Sequence, residues 1–312
     1  MIVVFGSINV DLLFSVDALP RAGETVLCPG HRAAAGGKGL NQAVAAARAA
    51  TDPAASVQMV GRVGPDGFAL LALQALKDAG VGTEAITESA LPTGCAAVIV
   101  DRVGENQITV ASGANTDLPP EALLEDWLGP ETVLVLQMEV PLESNWTVVE
   151  RAKSRGARVV LNLAPAKPVP AELLPAFDLV VFNEVEAEML ARARALDAAA
   201  GEEAARAIAA RYGVTTVVSL GSAGAGAFTS DEAWRCGALA IEPIDTVGAG
   251  DAFVAGLALG LEAGATLPAM LHRASVMGGL ACLGEGAAPA MPSAAEIEAR
   301  LGDLPSAQSM AL

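Results

Sequence analysis

Short runs of valine, isoleucine and leucine alternate along this chain with longer alanine-rich stretches. The short runs are almost continuously apolar, as expected for strands that are covered on both faces. They predict strands at residues 2–5, 57–60, 133–137, 158–162, 179–182 and 214–220. The longer stretches predict helices at residues 38–49, 68–79, 143–155, 202–212, 249–261 and 268–283. This alternation predicts an α/β fold with a doubly wound, mostly parallel central sheet flanked by helices.

Two segments, residues 11–36 and 93–112, do not follow this alternation. In the second, strand-like runs at 95–100 and 107–111 flank the polar stretch from Arg102 to Asn106, a pattern typical of a β-hairpin. We expect the two segments to form a small sheet that serves as a lid over a cleft. The chain is accordingly interpreted as one α/β domain, residues 1–312, with the lid as insertions.

Composition narrows the class of protein. Of the 312 residues, 53% are apolar and 18% are charged, which is enough for a sizeable core. The net charge of −17 disfavours nucleic acid and anionic membranes as partners. Simple solubility is the other explanation of this charge, and an anionic substrate would need a local positive site.

Cysteine and histidine usage argues against a structural zinc site or a disulfide framework. The four cysteines (Cys28, Cys95, Cys236 and Cys282) are far apart, and only two histidines are present. The N-terminus has the pattern of a first strand, with no basic leader, and no apolar run reaches the roughly 18 residues of a membrane span. These features favour the reducing cytoplasm.

The strongest local signal is the segment Asp245-Thr-Val-Gly-Ala-Gly-Asp251, which precedes a predicted helix. Glycines allow a tight turn and a close approach of the backbone to a ligand. The N–H groups of Gly248, Ala249 and Gly250, with the helix dipole, would form an anion site. Asp251 would then reach a substrate hydroxyl as a base, or it is only the N-cap of the helix.

Three other segments each allow two interpretations. Residues 221–226, Gly-Ser-Ala-Gly-Ala-Gly, either line a nucleotide or form a plain hairpin turn. Residues 36–41, Gly-Gly-Lys-Gly-Leu-Asn, lack the spacing of a Walker A loop and either bind a polyhydroxylated ligand or simply begin a helix with a solvated lysine. Residues 183–188 either hold oxygen ligands near a hydrated Mg²⁺ or form a capping box between Asn183 and Glu186.

Taken in order along the chain, these segments resemble the signature segments of the ribokinase-like family of sugar kinases, the phosphofructokinase-B type. The resemblance runs from about Val3 to Pro292. It includes segments 6–11 (Gly-Ser-Ile-Asn-Val-Asp), 36–42, 112–115, 137–141, 162–166, 183–186 and 245–251.

The resemblance implies transfer of the γ-phosphoryl group of ATP to the primary hydroxyl of a small sugar, with D-ribose as the first candidate. A kinase for a nucleoside, fructose or 2-keto-3-deoxygluconate is an alternative within the family, and a non-catalytic sugar-binding protein is an alternative outside it. Asp251 would be the base, and Gly248, Ala249 and Gly250 would frame the anion hole.

The resemblance also implies the other site residues. The sugar would be bound by Asn9, Asp11, Gly37, Lys38, Gly39, Asn41, Glu139 and Asp251. The nucleotide would be bound by Asn183, Ser219, Gly221, Ser222, Gly224, Gly250 and Ser275. Metal ions would be Mg²⁺, held through water by Glu186, and a monovalent cation such as K⁺, held by Asp245 and the carbonyls of Val247, Ala281, Gly284 and Gly286.

Two positions depart from the family pattern. Ala290 stands where a cation-ligating serine is usual, which bears on K⁺ dependence. Ser275 stands where a larger polar residue usually meets the adenine, which bears on base selectivity.

The lid is expected to pair with a second subunit, so that the protein would be a homodimer.

Overall fold

The computed structural model describes residues 1–51, 56–196 and 201–311. Within these ranges the strands form one ten-stranded sheet and one four-stranded sheet. The strands are β1 (Ile2–Phe5), β2 (Asn9–Ser15), β3 (His31–Gly36), β4 (Val57–Val63), β5 (Gly82–Glu88), β6 (Gly94–Val100), β7 (Asn106–Ala111), β8 (Val133–Leu136), β9 (Arg158–Asn162), β10 (Leu179–Asn183), β11 (Thr215–Ser219), β12 (Ala225–Phe228), β13 (Ala233–Cys236) and β14 (Gln308–Met310).

The large sheet has the order β14-β13-β12-β11-β10-β9-β8-β1-β4-β5. Every neighbouring pair from β5 to β11 is parallel, whereas β12, β13 and β14 continue the sheet in antiparallel fashion. The predicted strands are all present, so the mostly parallel α/β fold is confirmed. The strands β5, β12, β13 and β14 were not predicted.

Helices cover both faces of this sheet, because the side chains of its central strands point alternately to opposite sides. On β1, Ile2 and Val4 belong to one buried apolar cluster, and Val3 and Phe5 belong to the other. The helices are α1 (Lys38–Ala49), α2 (Gly67–Asp78), α3 (Leu142–Ser154), α4 (Glu184–Ala193), α5 (Gly201–Tyr212), α6 (Ala249–Glu262), α7 (Leu267–Ala281) and α8 (Ala294–Arg300).

The two clusters divide the helices between the faces. Residues of α1, α2, α6, α7 and α8 pack in the first cluster, and residues of α3, α4 and α5 pack in the second. Burial of one large apolar side chain such as Phe5 or Phe182 contributes about 1.5–3 kcal/mol. No helix in the described ranges combines the length and the apolar character that a membrane span requires.

The four-stranded sheet has the order β3-β2-β6-β7. β6 and β7 are antiparallel, with Cys95 opposite Ala111, so the predicted hairpin is present. The first irregular segment supplies β2 and β3, which are also antiparallel. Because β2 begins at Asn9 and β3 ends directly before the turn into α1, this sheet adjoins the start of α1.

Candidate active site

A cavity of about 150 Å³ opens where three neighbouring parallel strands end and α6 begins. Asn162, Asn183 and Ser219 are the last residues of β9, β10 and β11, and all three line it. Open α/β sheets bind ligands at this end of their strands. The candidate site residues that share its wall are Lys38, Asn183, Glu186, Ser219, Gly248, Gly250 and Asp251.

Asp251 is the third residue of α6, and its side chain is buried with only 6% of the residue exposed. Its Oδ2 accepts a hydrogen bond from Asn41 Nδ2 at 3.0 Å, and its Oδ1 accepts one from Gln42 Nε2 at 2.9 Å. The N-cap of α6 is Gly248, which has no capping side chain. The alternative in which Asp251 caps the helix is therefore wrong.

The pKa of the Asp251 carboxyl is raised by burial, against the opposing effects of Lys38 and of the amides of Asn41 and Gln42. The fold therefore gives this carboxyl a higher pKa than that of an exposed aspartate. Each carboxylate oxygen has two lone pairs, so each can accept a further hydrogen bond. A carboxylate of raised pKa is a better proton acceptor than an exposed one.

The turn before α6 has the geometry of an anion site. Gly248 adopts φ = 82°, and a Cβ there would lie 2.9 Å from the Cα of Ala287, so the position requires glycine. A Cβ on Gly250 would meet nothing within 4 Å, because this residue faces the open cavity. The first amides of a helix have no carbonyl partner within it, and they attract anions.

Lys38 is the first residue of α1, and its side chain enters the cavity. Burial lowers the pKa of its ammonium group, but Asp251, Glu139 and Glu186 together outweigh this effect and raise the pKa. Lys38 is therefore a charged group in the cavity wall rather than a solvated lysine. Lys38, which the resemblance assigns to the sugar, lines the same cavity as Asn183 and Gly250, which it assigns to the nucleotide.

The glycines on either side of Lys38 allow two chain segments to approach closely. Gly37 has φ = 91°, and a Cβ there would lie 2.8 Å from the backbone N of Asn9. A Cβ on Gly39 would lie 2.7 Å from the backbone of Ser7. The start of α1 is thus held against the segment between β1 and β2, from which Asn9 and Asp11 extend.

Asn9 and Glu139 are both engaged within the protein. Asn9 is 4% exposed, and its Oδ1 accepts a hydrogen bond from Asn115 Nδ2 at 2.6 Å. Glu139 Oε2 accepts hydrogen bonds from Ser7 Oγ at 2.5 Å and from the N–H of Lys38 at 3.1 Å. Glu139 therefore orders the turn into α1.

Asp11 lies on β2 with its carboxylate against Gly36, where a Cβ would come within 2.2 Å of Oδ2. Burial, with the nearby charges of Glu139 and Asp251, raises the pKa of Asp11 to about 6. Asp11, Glu139 and Asp251 thus form an acidic group between the small sheet and α6. Hydroxyl groups of a ligand could replace the water that such carboxylates lose on burial.

Asn183 and Glu186 form the capping box that the sequence suggested. Asn183 Oδ1 accepts from the N–H of Glu186 at 2.9 Å, and Glu186 Oε2 accepts from the N–H of Asn183 at 2.9 Å. Both residues also line the cavity. Burial raises the pKa of Glu186, while the Asn183 N–H and Lys38 oppose this rise. Its second carboxylate oxygen is not used by the capping box.

The remaining residues predicted for the nucleotide lie outside this cavity. Gly221, Ser222 and Gly224 are in the tight connection between the antiparallel strands β11 and β12, so the hairpin turn is present. Ser275 is in α7, 8% exposed, and its Oγ donates to the Leu271 carbonyl at 2.8 Å. Of the residues predicted from this part of the chain, Ser219 lines the cavity.

The segment predicted to hold a monovalent cation is tied together by Asp245. Its Oδ1 accepts from the N–H of Val247 at 3.0 Å, and its Oδ2 accepts from the N–H of Gly286 at 2.9 Å. Ala281 ends α7, and a Cβ on Gly284 would lie 2.9 Å from the Cβ of Ala290. The five predicted residues therefore belong to two neighbouring loops.

Several polar residues of the site received no role from the sequence. They are Ser7, Gln42, Asn115, Gln137 and Asn162, all at most 6% exposed. Buried amides are rare in a core unless they are hydrogen-bonded, and each of these lies in a segment that carried the family resemblance. Their burial, which is not visible in the sequence, is the signal that identifies them.

Comparisons with known proteins identify the family of this chain. The family model described as "pfkB family carbohydrate kinase" matches residues 1–294. The ribokinase of Bacillus subtilis is 33% identical over 299 residues, which is 95% of this chain and 98% of that protein. The structure of Thermotoga maritima ribokinase superposes with a TM-score of 0.88 at 29% identity, covering 96% of this chain and 99% of that one. The Arabidopsis thaliana ribokinase complexed with ribose and ATP gives 0.85 at 31%, with coverage of 96% and 98%.

Proposed function

This chain belongs to the pfkB family of carbohydrate kinases, and we propose that it transfers the γ-phosphoryl group of ATP to the primary hydroxyl of D-ribose. It is a phosphotransferase that acts on a sugar hydroxyl. Similarity to ribokinases over nearly the full chain, including one bound to ribose and ATP, supports ribose over the other sugars and nucleosides.

The observation that carries this proposal is that Asp251 shares one cavity with Gly248 and Gly250 of the turn that begins α6. Phosphoryl transfer needs an acceptor hydroxyl in line with the γ-phosphate and a neutralised charge on its oxygens. In this proposal the N–H groups of Gly248 and Gly250 hold those oxygens, and Lys38 adds a positive charge in the same cavity. Asp251 accepts the hydroxyl proton as the bond from the sugar oxygen to the γ-phosphorus forms, while the bond from that phosphorus to the β–γ bridging oxygen breaks and ADP leaves.

The sugar lies between the small sheet and the start of α1. Asn9, Asp11 and the residues Gly37, Lys38, Gly39 and Asn41 surround it in this proposal. Asn41 donates from Nδ2 to Asp251 Oδ2, so this part of α1 lies next to the proposed base. Asp11 accepts from a second hydroxyl, and Glu139 maintains the turn that presents Lys38.

The nucleotide enters from the carboxyl ends of β10 and β11. Ser219 and Asn183 line the cavity on this side, and the hairpin residues Gly221, Ser222 and Gly224 follow Ser219 directly. The adenine is proposed to lie beyond them, towards α7. Because the Ser275 hydroxyl is bonded to its own helix, it offers the base no strong polar contact, which favours loose base selectivity.

The donor set of the cavity fits Mg²⁺. This ion prefers oxygen ligands and keeps several waters, so one protein carboxylate beside the phosphates suffices. Glu186 supplies that carboxylate in the cavity wall, with one oxygen outside the capping box. When bound, Mg²⁺ would neutralise charge on the β- and γ-phosphates.

A monovalent cation also fits the proposal. The ligands are oxygens only: the Asp245 carboxylate and the carbonyls of Val247, Ala281, Gly284 and Gly286. Asp245 already accepts two backbone N–H groups, so a cation there would reinforce a connection that the protein makes itself. The alanine at position 290 contributes no oxygen to this set.

The test is a substrate panel with the purified protein. D-Ribose, fructose, 2-keto-3-deoxygluconate and nucleosides are each incubated with ATP and Mg²⁺, with and without K⁺, and the products are identified by mass spectrometry. Ribose 5-phosphate is expected as the preferred product, by kcat/KM. Preference for a nucleoside or another sugar would overturn the choice of ribose, and failure to phosphorylate any of them would overturn the enzymatic proposal.

We further propose that the small sheet is a lid and that it pairs two subunits. Every residue of its edge strand β7 is exposed, including the apolar Ile108 and Val110. Exposed apolar edge strands favour pairing with another chain. Light scattering is expected to give a dimer that Ile108→Lys converts to a monomer, and a monomeric native protein would refute the pairing.

All four cysteines are free thiols, which fits a cytoplasmic enzyme.

A further inference from the structure

Two buried glutamine side chains connect the end of β8 to Asp251. Gln137, which directly follows β8, donates from Nε2 to Gln42 Oε1 at 2.7 Å. Gln42, on α1, donates from Nε2 to Asp251 Oδ1 at 2.9 Å. Gln137 is 0% exposed and Gln42 is 1% exposed, so the surrounding fold holds both amides in place.

The orientation of each of these two side-chain amides follows from the Asp251 carboxylate to which they lead. An ionised carboxylate only accepts hydrogen bonds, so Gln42 must turn its NH₂ group towards Asp251. Its carbonyl oxygen then faces Gln137, which must in turn present its own NH₂ group. The two amide orientations are therefore set together, and the Gln42 amide can turn over only if the Gln137 amide turns over as well.

At Gln137, the far end of this hydrogen-bonded series, the orientation leaves one buried oxygen without a hydrogen bond. Gln137 Oε1 is buried and has no hydrogen-bond partner among the described residues. It lies against Gly6, where a Cβ would come within 1.8 Å of it. A buried acceptor without a partner is unusual in a protein core, and it is tolerated where a function requires it. The backbone carbonyl of Gln137 is fixed separately, by Asn145 Nδ2 at 2.7 Å.

We propose that Gln137 and Gln42 are positioning residues that form a relay of amides and hold the Asp251 carboxylate in the orientation that receives the proton of the sugar. The inference rests on the proposed role of Asp251 as the base. Gln42 donates a hydrogen bond to Asp251 Oδ1 from the side of β8. Gln137 donates to Gln42 Oε1 and so prevents the Gln42 amide from turning over. Gly6 makes room for the last amide of the relay.

Other charged groups also act on Asp251, and the test must separate them from the relay. Lys38 faces it from α1, Glu139 from the segment after β8, and Asp11 from β2. The variants Gln42→Met and Gln137→Met leave these charges unchanged. Methionine has nearly the length of glutamine and has no N–H group to donate. Thr216→Val is the matched control, because it removes a buried hydrogen bond to the Ala205 carbonyl that is not part of the relay.

We expect kcat for ribose at neutral pH to fall about ten- to hundredfold in Gln42→Met, and about two- to tenfold in Gln137→Met. The KM for ribose should change less than kcat. In both variants the acidic limb of the kcat–pH profile should move to higher pH, because a donor that favours the ionised carboxylate is lost. Thr216→Val should keep the wild-type profile, even if its melting temperature falls.

The outcomes distinguish the relay from the proposed base. If Asp251→Asn is inactive while Gln42→Met keeps the wild-type kcat and pH profile, the relay is refuted and the base is retained. A fall in kcat without movement of the acidic limb would show a structural role only and would also overturn the relay. If Asp251→Asn stays active, the proposed base itself fails. Ribose calorimetry and thermal unfolding establish that each variant is folded.

Discussion

Asn41 Nδ2 lies 3.0 Å from Asp251 Oδ2, although 210 positions separate the two residues along the chain. The contact joins the first turn of α1 to the first turn of α6, and the cavity lies beside it. A buried carboxylate held by an amide keeps its orientation only while both helix ends keep theirs. The proposed base and the segment that we propose to surround the sugar are therefore parts of one hydrogen-bonded unit.

Replacement of this carboxylate is the first prediction. Asp251→Asn should lower kcat by roughly 10²–10⁴-fold, because the variant has no group that can accept the proton of the sugar hydroxyl. Ribose affinity, measured by calorimetry, should persist within a few-fold. The exposed Asp126 supplies the control Asp126→Asn. A variant that retains more than about a tenth of the wild-type rate would remove Asp251 from this role.

A stability change at Asp11 is the second prediction. The pKa of Asp11 is raised to about 6 in the folded protein, from 3.8. Between about pH 4 and pH 6 the unfolded chain loses this proton first, so the free energy of unfolding falls as the pH rises. Without ribose, Asp11→Asn should therefore melt at a higher temperature than the wild type at pH 7.5, because its neutral amide avoids a buried charge.

The same variant should bind ribose less tightly at pH 7.5, by about tenfold, since it loses a charged acceptor. Below about pH 3 the difference in melting temperature should disappear, because Asp11 is then mostly protonated in both the folded and the unfolded state. Two results would contradict the assignment: an equal difference at both pH values, or unchanged ribose affinity in calorimetry.

Much of this architecture could be predicted from the sequence because its signals are local. The buried strands are continuous apolar runs, and Gly248-Ala-Gly250-Asp251 carries its own turn chemistry. The strands β12, β13 and β14, which complete one side of the large sheet, are only three or four residues long, so no periodic pattern marked them. Packing, rather than propensity, forms them in this protein.

Other features of the site depend on contacts between distant segments. Nothing in the neighbourhood of Gln42 or Gln137 indicates that the two amides meet, since 95 positions separate them. The raised pKa of Asp251 likewise arises from burial by elements that the local motif does not contain. The pattern of the motif identified the residue, whereas its protonation behaviour depends on the assembled fold.

Gly248 provides the third prediction. Gly248→Ala should reduce kcat by more than tenfold and lower the melting temperature, because its Cβ would lie 2.9 Å from Ala287 at a backbone angle that favours glycine. The matched control is Gly80→Ala, at φ = 80° with nothing within 4 Å of its Cβ. This control should lose stability while keeping kcat. Equal kinetics in the two variants would contradict the anion site.

The cation loops provide the fourth prediction. Ala290→Ser adds a hydroxyl oxygen beside Gly284, where the ligand set otherwise consists of carbonyls and Asp245. The K⁺ concentration for half-maximal activation should therefore be lower in this variant than in the wild type. Activity is measured against KCl, with tetramethylammonium chloride keeping the ionic strength constant. If K⁺ has no effect on either protein, these loops are not a cation site.

Besides the hydrogen bond from the Gly286 N–H to Asp245, two arginines contact the loop after α7, and their contacts differ greatly in strength. Arg48 donates to the carbonyls of Ala288, Pro289 and Met291, so it secures the segment that packs on Gly248. Arg32, on β3, reaches the same loop only through an exposed ion pair with Glu285, a type worth at most about 1 kcal/mol. If the small sheet hinges, the Arg32–Glu285 ion pair would therefore break before the Arg48 hydrogen bonds do. The turn proposed to bind phosphate would then keep its shape each time a sugar enters and a product leaves.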